Sequence, residues 1–69
     1  MNEPSTLQVV EAMEKHGGRF IRALAAAFRD ADPVNRLRIR GCWSEEWEVY
    51  RKFAIYDIEF ANDMKGRQP

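Results

Sequence analysis

One cysteine, one histidine, three prolines and four glycines occur in 69 residues. A lone Cys42 cannot close an internal disulfide, and Cys42 with His16 cannot complete a four-ligand zinc site, so neither common staple of very small domains can form within the chain. No apolar run approaches the ~18 residues of a membrane span. The opening Met1-Asn2-Glu3-Pro4 is acidic and leads into no apolar signal segment. Formal net charge is zero, from 11 Lys+Arg and 11 Asp+Glu, so the chain as a whole is not a generic polyanion binder. Gly17-Gly18 lacks a phosphate-loop pattern, because Lys15 precedes the pair instead of following it. A helix break is the better reading of these glycines.

Hydrophobic residues make up 45% of the chain and aromatics 12%, enough for one folded domain. A chain this short buries only about 60% of its unfolded surface. Stability therefore rests on good helix packing, self-association or a partner. The punctuation favours helices throughout. Ser5-Thr6-Leu7-Gln8 has the form of a capping box and starts a helix that runs to about His16. There Gly17-Gly18 supplies a residue tolerant of positive φ at the C-terminal cap, with Lys15 and His16 placed against the last carbonyls and His16 a fitting cap residue. The apolar side of this helix, Val9, Val10 and Met13, is narrow and suggests a surface helix. Over 19–31 a second helix places Phe20, Ile21, Leu24, Ala27 and Phe28 on one side. Asp32-Pro33 is a strong start signal. The alternation in Arg36-Leu37-Arg38-Ile39-Arg40 also fits a strand, but no partner strand exists for it, so 33–42 reads as a short helix. Ser44 is the expected N-cap of a last helix to about Met64, with Glu45 and Glu46 in its first turn. The fold expected is an all-α compact bundle of three to four helices (about 5–16, 19–31, 33–42 and 44–64), a single domain with flexible ends at 1–4 and 65–69.

The last helix has two apolar stripes. Trp47, Tyr50, Ala54, Ile58 and Ala61 form one, and Val49, Phe53, Tyr56 and Phe60 form the other. Together they span an arc of roughly 200°, against the ~100° that a surface helix needs. Either this helix is central or one stripe meets another chain, which makes Val49, Phe53, Tyr56 and Phe60 the candidate oligomer interface.

Zero net charge hides segregation along the chain. Residues 15–40 carry seven Lys/Arg against Asp30 and Asp32, and residues 41–63 carry six acids against Arg51 and Lys52. Helices lying side by side would explain this as a solvated intramolecular pattern of small energetic value. Two sharper readings assign it to binding. Arg36, Arg38 and Arg40, joined by Arg29, can grip phosphates or an acidic protein surface. Glu45, Glu48, Glu59 and Asp63, on one side of the last helix, can present a partial polyanion to a partner's basic groove.

Signals for catalysis are nearly absent. Cys42 has no base in its own helix, and the many acids have no evident pocket to tune a catalytic pair. No catalytic residue, cofactor site or metal site is expected. Trp43, Trp47 and Tyr50 read first as core and second as interface anchors. A helix-turn-helix reader would need a polar recognition helix, but here the last helix is acidic and the third is barely two turns long.

His16-Gly17-Gly18-x-Phe20, Ala23-Leu24-Ala25-x-Ala27-Phe28, Ala31-Asp32-Pro33-x-Asn35 and Trp47-x-x-Tyr50 together resemble a family of small phage- and prophage-encoded helical proteins of unassigned function. The resemblance spans over half the chain. Where that family starts its last helix on an aromatic-proline pair, this chain has Trp43-Ser44, and Ser44 can serve as the helix start. The arginine alternation over 36–40 is more basic than the family pattern. No catalytic residues carry over. The resemblance implies a phage gene product in a bacterial cytoplasm, and small proteins of that kind commonly act by stoichiometric binding to a host complex, as anti-CRISPR inhibitors do. The leading expectation is a non-enzymatic interaction protein that inhibits or modulates a bacterial macromolecular complex such as a CRISPR effector. A small nucleic-acid-binding regulator using Arg36, Arg38 and Arg40 is one alternative. A homodimer or other helical homo-oligomer with a structural or assembly role is the other. No membrane partner is expected.

Overall fold

A computed structural model describes residues 3–66 and the side chains of 3–64. The protein is all-α, and its described residues form four helices: α1 (Thr6–His16), α2 (Arg19–Asp30), α3 (Pro33–Cys42) and α4 (Ser44–Gly66). No strand forms among the described residues, so the alternating arginine segment is helical. The bundle is elongated, 44 × 24 × 20 Å, because α4 is 23 residues long. The flexible ends expected at 1–4 and 65–69 lie partly outside the described residues. Within them, Pro4 is buried, Glu3 accepts from Arg51 Nη1 at 2.9 Å, and α4 continues to Gly66.

Local chemistry sets each helix start. In α1 the capping box closes in both directions: Gln8 N–H donates to Ser5 Oγ at 3.1 Å, and Ser5 N–H to Gln8 Oε1 at 2.8 Å. Asp32 caps α3 by accepting from the Asn35 amide at 2.8 Å, with Pro33 at the first helical position. Trp43 alone separates α3 from α4. Its amide donates to the Ile39 carbonyl and its own carbonyl accepts from the Trp47 amide. Ser44 is thus the first residue of α4 and not the cap outside it.

The α1–α2 break works differently from expectation. Among the described residues no glycine has a positive φ; Gly17 is extended at φ −80°, ψ 155°. Its need for glycine is spatial. A Cβ at this position would lie 2.5 Å from the Met13 carbonyl oxygen and 2.7 Å from Ile21 Cβ. Gly17 lets the chain reverse tightly enough for Ile21 to pack beside the end of α1.

The core also departs from the sequence reading. Of the eight residues that form the buried cluster among the described residues, four come from α1: Val9, Val10, Ala12 and Met13. Ala25 and Phe28 come from α2, and Trp47 and Ala54 from α4. The first helix, expected at the surface, is therefore the central one, and its contact with α4 is the largest in the bundle. Ala12 makes this possible, since its small side chain lets α4 approach on a face that apolar bulk alone does not mark. The inward line of α2 is Ala25 and Phe28, both buried, with half-buried Ile21 and Leu24 beside them, while Phe20 and Ala27 are exposed. Of the Trp43, Trp47 and Tyr50 group, Trp47 is buried, Tyr50 is half-buried, and Trp43 sits at the edge against Phe20, edge-to-face at 5.1 Å.

Candidate functional site

Helix α4 has only one of its two stripes in the fold. Trp47 and Ala54 are buried and Tyr50 and Ile58 partly so, whereas Ala61 is exposed. The second stripe, Val49, Phe53, Tyr56 and Phe60, faces outward along its whole length, with Tyr56 64% exposed. Met64, four residues beyond Phe60 and also exposed, extends it by a turn. The aromatics stack upon one another: Phe53 lies 5.5 Å from Tyr50, and Tyr56 lies 6.5 Å from Phe60. Ring-on-ring contact holds these side chains in place without removing them from water, a costly arrangement for a surface with no occupant.

His16 builds one wall of this surface. Its position beside Gly17 predicts a cap on α1, but its ring reaches across to α4. There Nε2 lies 3.0 and 3.1 Å from the two Asp57 carboxylate oxygens, and the ring stacks on Phe53 at 4.6 Å. Lys15 Nζ lies 3.6 Å from the same carboxylate. The Gly17 cap leaves the His16 side chain available for this role, because the Gly17 amide takes the Met13 carbonyl at 2.9 Å. Between His16 and α4 lies an open, almost wholly apolar hollow of about 440 Å³, lined by His16, Val49, Lys52, Phe53 and Tyr56.

Acids rim the stripe. At 100° per residue, Glu45, Lys52, Glu59 and Asp63 run along one edge, and Glu46 and Asp57 along the other. Of the four acids singled out in the sequence, Glu45 and Glu59 are exposed and make no ion pair with a described residue, and Asp63 is exposed. Glu48 is different. Arg51 Nη2 and Nε donate to its two oxygens at 2.7 and 2.9 Å, while Arg51 Nη1 reaches Glu3. The hydrogen bonds from Arg51 hold the Glu48 carboxyl below its ordinary value and push the Arg51 guanidinium higher still.

The arginine cluster is largely committed to the fold. Arg36 Nε and Nη2 donate to the Phe28 and Arg29 carbonyls at 3.0 and 3.1 Å, satisfying the end of α2, and its guanidinium lies over the Phe28 ring at 5.2 Å. Arg40 lies over the buried Trp47 ring at 4.7 Å. Arg29 forms a two-pronged pair with Glu14, whose carboxyl it lowers by hydrogen bonding. Arg38 lies 200° around α3 from Arg36 and makes no ion pair or hydrogen bond with any described residue. The three residues thus do not converge on one site.

Cys42 is exposed at the end of α3. Among the described residues no group of three or more His, Cys, Asp or Glu is placed to hold a metal ion, and no helix is long and apolar enough to cross a membrane. Two parts of the surface were missed in the sequence. Met64 was detectable from its spacing to Phe60. The wall made by His16 and Lys52 was not, because it depends on how the end of α1 meets α4. No protein-family model, curated protein or solved structure matches the chain.

Proposed function

We propose that this is a non-enzymatic interaction protein that presents α4 to a basic-rimmed apolar groove on a bacterial macromolecular complex and thereby inhibits or modulates it. A defence effector of the CRISPR kind, whose nucleic-acid channel is basic, is the type of target this chemistry suits. One observation carries the reading: four large apolar side chains, rimmed mostly by carboxylates, lie uncovered along one face of a helix whose other face is already packed. Exposed aromatics beside a hollow are the usual anchors of a protein contact, and a rim of one sign selects a partner of the other. The phage and bacterial cytoplasmic setting comes from the sequence resemblance. Against the nucleic-acid alternative, Arg38 lies on the far side of α3 from Arg36 and Arg40, so the three arginines do not form one phosphate-binding face.

Affinity purification of the tagged protein from a bacterial lysate, with mass spectrometry of what co-elutes, tests the reading. Stoichiometric recovery of subunits of one host complex is the expected result. Recovery of only the protein itself and nucleic acid would move the assignment to a regulator or an oligomer.

A further inference from the structure

The rim that the α4 stripe requires also exists elsewhere on the same molecule. Between the start of α1 and α3 run two hollows of about 290 and 400 Å³, which share Thr6, Phe28 and Arg36 in their walls. Leu7 and Leu37, 53% and 69% exposed, provide apolar surface, and Arg29, Arg36 and Arg40 provide the charge. Although Arg36 and Arg40 are engaged, their interactions with carbonyls and aromatic rings leave their positive charge in place; among the described residues only Arg29 of the three is paired with a carboxylate, Glu14.

We infer that this groove and the α4 stripe are the two halves of one head-to-tail contact, so that the occupant of the stripe in the free protein is the Leu7/Leu37 groove of a second copy. Three observations argue for this arrangement. Charge is complementary: the stripe is edged by Glu45 and Glu59, and the groove carries the guanidinium groups of Arg36 and Arg40, neither of which pairs with a described carboxylate. Stripe-to-stripe pairing would instead set these acids, with Glu46, against their own copies, with Lys52 on the same rim offsetting them in part. The surfaces share no residue and flank opposite ends of α1, Thr6 and Leu7 at one end and His16 at the other, roughly 15 Å apart at 1.5 Å per residue, so one copy can use both. Such a contact is heterologous and grows into a ring or open chain unless capped.

The inference shares with the proposed function only the premise that the stripe is a contact surface. Its test uses purified protein alone, so a missing host partner does not touch it, and a monomeric protein does not touch the host reading. Sedimentation of the wild type from about 10 µM to about 1 mM, the range of weak interfaces, should show average mass rising above the 8.1 kDa monomer. Tyr56→Glu and Leu37→Glu should each remain at 8.1 kDa, and mixing them in equal amounts should give a species of twice that mass that grows no further. Both positions are exposed, and circular dichroism checks the fold. Leu7→Glu replaces Leu37→Glu if that variant loses helix. A wild type that stays monomeric, a groove variant that associates like wild type, or a mixture that stays monomeric would each overturn the inference.

Discussion

Gly17 and Gly41 predict opposite outcomes for the same substitution. At Gly17 a methyl group would press on the Met13 carbonyl and on Ile21, neither of which can move without shifting the α1–α2 reversal. Gly17→Ala should therefore cost about 1–3 kcal/mol in a urea melt. Gly41 lies within α3 with nothing inside 4 Å of an added Cβ, so Gly41→Ala should gain about 0.5–1 kcal/mol by restricting the unfolded chain. Equal effects at both sites would contradict the spatial account of Gly17. Glu14 and Glu48 govern part of the acid response. Both carboxyls lie below their ordinary value of 4.5 when folded, because arginines donate hydrogen bonds to them. The unfolded chain therefore takes up these protons first, and the stabilisation is complete above 4.5 and lost as pH falls below it. Exposure keeps the effect small. Melts between about pH 6 and pH 3 should show the wild type losing more stability than a Glu14→Gln/Glu48→Gln double variant; parallel curves would count against these pairs.

At the scale of elements, α3 is unusual in burying no residue at all. Half-buried Ile39, the Arg36 bonds to the end of α2 and the Arg40 contact with Trp47 hold it in place. Arg36→Met keeps the aliphatic stem but removes both donors, and should cost about 1–2 kcal/mol. Hydrogen exchange should rise in α3 and the last turn of α2 while α1 stays protected. Exchange rising uniformly would mean that α3 is not held locally. The same elements show what was legible in the sequence. Caps are local, so Ser5, Gln8, Asp32 and Pro33 fixed the helix starts to within a residue. Burial is not local. Val9, Val10 and Met13 looked like a narrow stripe because the fourth buried member is Ala12, whose contribution is the close approach it allows. In α2 a shift of one position around the helix exchanges Phe20 and Ala27 for Ala25, and only the placement of α1 decides between them. The arginine segment looked like a phosphate grip for a similar reason, since nothing in its spacing reveals that Phe28 and Trp47 lie beneath two of its side chains.

For the molecule as a whole, charge segregated along the chain becomes charge on different surfaces. The acids of α4 edge an apolar stripe, and the arginines of α2 and α3 edge a groove at the far end of α1. Helix packing separated these surfaces while leaving large apolar side chains uncovered on both. Tyr56 is a cleaner probe of the stripe than Phe53, because Phe53 also carries the ring of His16 and the contact with Tyr50. The central claim is that α4, and not the arginine segment, meets the host target. Its most direct test compares Tyr56→Glu with Arg38→Glu in parallel affinity purifications from the same lysate, scored by recovery of the co-eluting complex. The account predicts recovery reduced at least about tenfold for Tyr56→Glu, the scale of a single interface anchor, and unchanged for Arg38→Glu. Loss with Arg38→Glu and full recovery with Tyr56→Glu would contradict it.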